Sequence, residues 1–151
     1  MWMLRRLKPL EASVEDLLDV YEKQIRSVLE FASPVWTSGI SKDEINQIER
    51  VQKAAFSIIL ADRYRNYENA LRILNRDTLS ERRSCINLKF AQKSFKSEKY
   101  NRWFCRSNPT NQQEKTRSTI PELVPVQART NAFSKSPIAY LTNLMNEKLS
   151  K

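Results

Sequence analysis

The sequence predicts an all-α protein: a helical hairpin plus further packed helices, with an irregular polar linker and a short C-terminal helix. Three observations carry this. The 151 residues include a single Gly, which disfavours folds that need primed hairpin turns and any Gly-rich phosphate loop. Apolar residues recur at steps of three and four in several long stretches, the period of one helix face. Pairs suited to capping a helix N-terminus stand before those stretches at Ser13 and Asp16, Ser41 and Glu44, and Thr78 and Glu81.

In chain order, Met1-Trp2-Met3-Leu4-Arg5-Arg6-Leu7-Lys8 reads as the end of a helix stopped by Pro9, which lacks a backbone donor. A helix over about 14–32 follows from Val14, Leu17, Leu18, Tyr21, Ile25, Val28, Leu29 and Ala32 on one face. Pro34 ends or kinks it, and Gly39 is the natural left-handed position of the turn beyond. Over 42–60, Ile45, Ile48, Val51, Ala55, Ile58 and Ile59 fill one arc while Asn46, Arg50 and Lys53 face away. The short connection makes these two helices an antiparallel hairpin.

Asp62-Arg63-Tyr64-Arg65 is a polar link. Tyr67, Ala70, Leu71 and Leu74 mark a short helix ended near Asn75, a residue that tolerates the left-handed cap. A helix over 79–96 carries Leu79, Ile86 and Phe90 on one stripe and Cys85, Leu88, Ala91 and Phe95 on a broader one. Tyr100, Trp103 and Phe104 suit a short aromatic helix or turn. Residues 106–136 turn polar and carry Pro109, Pro121 and Pro125, the composition of a linker. Ser136 and Pro137 then start a terminal helix bearing Ile138, Tyr140, Leu141, Leu144, Met145 and Leu149. The expected organisation is a helical domain at 1–105, a linker at 106–136 and a helical tail at 137–151.

Composition excludes much chemistry. With no His, catalytic triads, zinc hydrolase motifs and His-dependent nucleases are ruled out. Carboxylates alone would have to serve. The one local acidic cluster, Glu15, Asp16, Asp19 and Glu22, sits off the apolar arc like a solvated face near a helix N-terminus. No metal or cofactor is expected, and the chain reads as a non-enzyme. Cys85 and Cys105 stand twenty apart without metal-ligand spacing and are expected to be buried and inert, Cys85 on the broad apolar stripe. The chain shows no signal-peptide pattern and no eighteen-residue apolar run. The expectation is an intracellular protein, nuclear or cytoplasmic, with reduced thiols and no membrane partner.

The formal charge of +9 is uneven. Residues 1–60 hold eight basic and nine acidic side chains, residues 61–110 twelve and five, and residues 111–151 six and three. A concentrated excess is the footprint of a polyanionic partner, since each phosphate neutralised releases counterions. A generically basic wet surface is the alternative. At 100° per residue, Arg82, Lys89, Lys93 and Lys96 fall within about 60° of one another, forming a ridge without an acid. Soluble helices usually alternate charge sign on the wet face, so the ridge is expected to meet a ligand, with snorkelling over apolar neighbours as the competing explanation. The candidate nucleic-acid contacts are Arg63, Arg65, Arg72, Arg76, Arg82, Arg83, Lys89, Lys93 and Lys96. Adjacent positions diverge by about 100°, so Arg82 and Arg83 cannot both join the ridge, and one is open to pairing with Glu68, Asp77 or Glu81. Tyr64 and Tyr67 interleave with the basic set; Tyr67 shares the phase of Leu71 and Leu74, which favours packing over stacking on a base.

Several ordered blocks also carry a resemblance. They are Trp2-Met3-Leu4-Arg5-Arg6-Leu7-Lys8, the run Tyr21 to Trp36, Ile48 to Ala54, Asn66 to Leu71, Thr78-Leu79-Ser80-Glu81-Arg82-Arg83, Leu88 to Ala91, and Ser136 to Thr142. Together they resemble the C-terminal part of the reverse-transcriptase polyprotein of jockey-like, non-long-terminal-repeat retrotransposons, and the last block looks like the natural end of that polyprotein. The resemblance implies a thumb-like region beyond the palm that grips a primer-template through its backbone. It also implies, as a further partner, the missing palm or a full-length reverse transcriptase. The chain has no Asp-Asp anywhere, so the polymerase centre of that family is absent, and so is its upstream endonuclease. Asn75 stands where the family pattern has Gly, and Asn131-Ala132-Phe133 is less basic than its counterparts. A helical module for protein–protein contact or self-association, derived from a truncated retroelement, is the alternative reading.

Overall fold

The structure, a computed structural model, describes residues 1–104, 123–125 and 127–149, and the elements it forms there are helical. Cys105 and the linker stretch 106–122, with Pro109 and Pro121, lie outside the described residues.

Helix α1 spans Trp2–Leu7, and Pro9 falls in a single 3-10 turn, Lys8–Leu10, because its ring offers no N–H to continue an α-helix. Helix α2, Val14–Val20, opens on Ser13, whose hydroxyl oxygen accepts the Asp16 N–H at 3.0 Å. The winding then widens into a π-helical segment, Tyr21–Arg26, and returns to α in α3, Ser27–Glu30. The helix expected over 14–32 is therefore present to Glu30 but with an interrupted period. Wider winding retards every later side chain. Leu17 and Tyr21 are buried, whereas Val28 is 72% exposed, which removes Val28 from the apolar face that a uniform period gives it.

The winding ends at Phe31, whose ψ of 128° leaves helical geometry; Ala32 then takes a left-handed φ of 50°, and the one-turn helix α4, Ser33–Trp36, follows at once. Gly39 has no positive φ, and an added Cβ there would meet nothing nearer than the Trp36 carbonyl at 3.7 Å. The expected left-handed role for Gly39 is thus corrected: in this connection the positive φ falls on Ala32. Helix α5, Lys42–Leu60, carries the full Ser41–Glu44 capping box. Its buried residues are Gln52, Ala55, Phe56, Ile59 and Leu60, while Ile45, Ile48, Val51 and Ile58 are half-buried, so the inward arc is rotated from the one read off the aliphatics. Helix α6, Tyr67–Leu74, is capped by the Asn66 side chain and closed by Asn75 in the left-handed conformation (φ 51°). Helix α7, Leu79–Lys96, begins with the Thr78–Glu81 box.

The aromatic segment forms a 3-10 turn, Asn101–Trp103; α8, Asn131–Ser134, and α9, Pro137–Leu149, complete the chain, with the Ser136 hydroxyl oxygen accepting the Ala139 N–H at 3.4 Å.

These helices form two compact units. One comprises Met1–Ala32 and Ile40–Arg83, the other Ser33–Gly39 and Ser84–Lys151. This differs from a division at 105 and 136, because α7 contributes to both units and the connection through Gly39 belongs with the later residues. In the first unit, Leu4, Leu17, Tyr21, Phe56, Ile59, Ala70 and Leu74 share a core to which α1, α2, α5 and α6 all contribute. In the second, Ala91, Phe104, Leu123, Leu141 and Met145 pack together, and α4 lies against α9. Leu123, placed in the expected linker, is fully buried, and the Asn146 side chain satisfies its N–H at 3.2 Å and its carbonyl at 2.9 Å.

Candidate functional site

The nine candidate cations separate by what surrounds them. Glu22, Arg26 and Glu30 follow at i, i+4 and i+8 through the π segment into α3, a spacing that aligns them along one side of a helix. Arg76 Nε donates to Glu22 Oε1 at 2.6 Å, Arg26 Nη1 donates to the same oxygen at 2.7 Å, Arg26 Nε lies 3.9 Å from Glu30 Oε2, and Arg82 holds Glu30 through two nitrogens. The result is one alternating chain of charge, Arg76–Glu22–Arg26–Glu30–Arg82, within the first unit. Burial works to raise the Glu22 carboxyl pKa, but the Arg76 and Arg26 hydrogen bonds outweigh it and hold it below the usual carboxylate value. The Glu30 hydrogen bond raises Arg82 above its ordinary value. Arg76 and Arg82 are thus engaged by acids of their own unit, and the partner of Arg82 is Glu30, not Glu68, Asp77 or Glu81. Arg83 is 2% exposed, so its side chain does not present a wet surface.

Arg63, Arg65 and Arg72 are exposed in the first unit, Arg63 at the end of the 3-10 turn Ala61–Arg63, Arg65 in the link and Arg72 on α6. Lys89, Lys93 and Lys96 are exposed on α7 in the second unit and line one shallow depression together with Gln92. They have no acidic partner within ion-pair reach among the described residues. The ridge read from the helical period therefore survives as three lysines, and Arg82 drops out of it.

Burial along α7 leaves the three lysines on its wet side. Leu79, Arg83, Asn87, Ala91 and Ser94 are its buried positions, a line at steps of three and four opposite the lysines. Three of those five are polar, and Asn87 is accommodated by a 3.1 Å hydrogen bond from the Ser33 hydroxyl. Apolar matching misses such a face. Cys85 is exposed, and Phe90 is 40% exposed, so the expectation that Cys85 lies buried on an apolar stripe is corrected: it falls on the lysine side, one turn before Lys89.

The tyrosines resolve toward packing. Tyr64 and Tyr67 are half-buried against the first core, and the Tyr67 ring lies 6.3 Å from that of Phe56. The Tyr67 hydroxyl donates to Glu49 and accepts from Gln52 Nε2 at 2.9 Å; Gln52 also accepts the Tyr21 hydroxyl at 2.7 Å and donates to the Asp77 carbonyl at 3.0 Å. Burial, first, and the neighbouring Glu49 push the Tyr67 phenol up, and burial does the same for Tyr21. Glu49 additionally accepts the Leu79 N–H at 3.2 Å, so this network joins α5 to α6 and to the start of α7.

Among the described residues no three or more His, Cys, Asp or Glu side chains gather to hold a metal ion, and no helix is long and apolar enough to cross a membrane. The acidic cluster splits up: Asp19 pairs with Lys23 at 2.7 Å, while Glu22 enters the ion chain. No family model, curated protein or solved structure matches the chain.

Proposed function

We propose that this chain is a non-catalytic, thumb-like region of a retrotransposon reverse transcriptase that grips the sugar-phosphate backbone of a primer-template. The observation that supports it is the exposed Lys89, Lys93 and Lys96 line with no acid within ion-pair reach among the described residues. Like charges at i, i+4 and i+7 repel one another, so an uncompensated row costs stability unless an anion meets it. Seven residues of helix span about 10 Å, and a nucleic-acid strand presents a phosphate about every 3.4 Å of its axis, so the row matches a short run of phosphates. Such contacts position a strand and carry no base information. The family assignment rests on the ordered blocks from Trp2 to Thr142, which the absence of the Asp-Asp centre makes non-catalytic.

The test is Lys89→Glu, Lys93→Glu and Lys96→Glu combined, with duplex affinity measured across a salt series. Each lost phosphate contact flattens the log–log slope by about one, so the triple change is expected to move it by roughly two to three. Lys23→Glu with Lys42→Glu is the control for bulk charge. An unaltered slope in the triple variant overturns the backbone-gripping reading and favours a protein-association module.

A further inference from the structure

Beside the lysine row, the second unit holds a cavity of about 240 Å³. Leu88, Phe95, Leu123 and Met145 wall it, and Gln92 and Lys96 line both this cavity and the basic depression. The Phe95 ring is held edge-on to Phe104, with centroids 5.9 Å apart at 80°. An apolar recess with one aromatic wall therefore opens next to a row of phosphate-type contacts, and the residues between them include a side-chain amide. That amide offers two donors and an acceptor, the pattern that pairs with the edge of a base.

We propose that this cavity takes an unpaired nucleobase from a single-stranded stretch whose phosphates lie on Lys89, Lys93 and Lys96. The inference rests on the backbone-gripping reading and sharpens it. A neutral apolar ligand would satisfy the walls alone, and a free inorganic anion the lysines alone. A nucleotide strand satisfies both, because its apolar π-faced base and its phosphate are joined at the spacing of one residue of the ligand. An intact duplex keeps its bases stacked inside and must unpair one to fill the recess, so the preferred ligand is a single strand or a frayed end. Base–aromatic contact tolerates any sequence, so the preference is for structure, not for a motif.

The experiment compares a labelled short oligothymidylate with an abasic strand of the same length by fluorescence anisotropy, using the full chain. The two ligands carry the same phosphates, so their salt slopes should agree while the base-bearing strand binds about tenfold tighter. Gln92→Ala, at an exposed position, and Leu88→Phe, which narrows the recess, should each reduce that ratio by about threefold or more with helicity and salt slope intact. Equal binding of the two strands, with the lysine triple still flattening the slope, overturns the cavity inference and leaves the backbone reading standing. A ratio untouched by both variants puts the base elsewhere and overturns it too. If the lysine triple changes nothing, both readings fall together.

Discussion

Arg82 clasps Glu30 across 52 positions of sequence, Nε to Oε1 at 2.7 Å and Nη2 to Oε2 at 3.2 Å. The planar guanidinium matches the carboxylate fork, a geometry that a lysine at that position would not reproduce. Glu30 is only 11% exposed at its side chain, so removing its partner strands a mostly desolvated charge. Arg82→Ala is expected to cost about 2 kcal/mol in denaturant melts. It should leave the salt slope for nucleic acid unchanged. A flattened slope in a variant of full stability would return Arg82 to the binding row.

Acid should weaken the first unit through the same ion chain. The Glu22 carboxyl sits below its usual 4.5 when folded, so the folded state binds fewer protons than the unfolded chain in that window. Its contribution is complete above about pH 4.5 and is lost as pH falls through the depressed folded value. Glu44 and Glu81, lowered by their hydrogen bonds from Ser41 and Thr78, act in the same direction. Arg76→Ala should flatten the stability-versus-pH curve below pH 4.5 relative to the parent; parallel curves would show that the Arg76–Glu22 contact contributes nothing in solution.

Cys85 should react quickly with a thiol reagent in the native protein. It is exposed and stands one turn before Lys89 on α7, and access governs labelling once the thiolate forms. In a Cys105→Ser background, labelling of Cys85 should match that of a denatured sample within a few-fold. Protection that disappears only on unfolding would place the lysine side of α7 against protein.

Two aliphatic truncations should differ sharply. Ile59 is fully buried among Leu17, Phe56 and Leu60 of the first core, whereas Val28 is 72% exposed. Ile59→Ala should cost about 2–5 kcal/mol, and Val28→Ala within about 0.5 kcal/mol of nothing. Comparable losses at both positions would mean that α3 buries the face bearing Val28.

Helix limits were legible in the sequence because they are set locally. Ser41 with Glu44 and Thr78 with Glu81 start α5 and α7 where the capping pattern places them, and Asn75 ends α6. Burial within helices was less legible. Gln52, Arg83, Asn87 and Ser94 are buried polar groups, and a reading that equates inside with apolar turns the helix the wrong way. The basic set was half legible for a related reason: Lys89, Lys93 and Lys96 share a face by period alone, but whether Arg76 and Arg82 are free depends on acids more than fifty residues away. The i, i+4, i+8 run of Glu22, Arg26 and Glu30 was the available signal, since an acid–base–acid row on one helix side invites further cations.

The π-helical segment Tyr21–Arg26 amounts to a one-residue insertion that the helix absorbs without breaking. Its consequence is a change of frame: everything downstream is rotated by roughly one residue, about 100°, and this shifted frame is the one in which Glu30 meets its distant cation, Arg82. Shortening the segment by a residue at exposed Gln24 would restore an uninterrupted period and carry Val28 toward the inside, at the cost of aiming Glu30 away from Arg82. The chain has kept the longer count, trading a continuous greasy stripe for an electrostatic clasp.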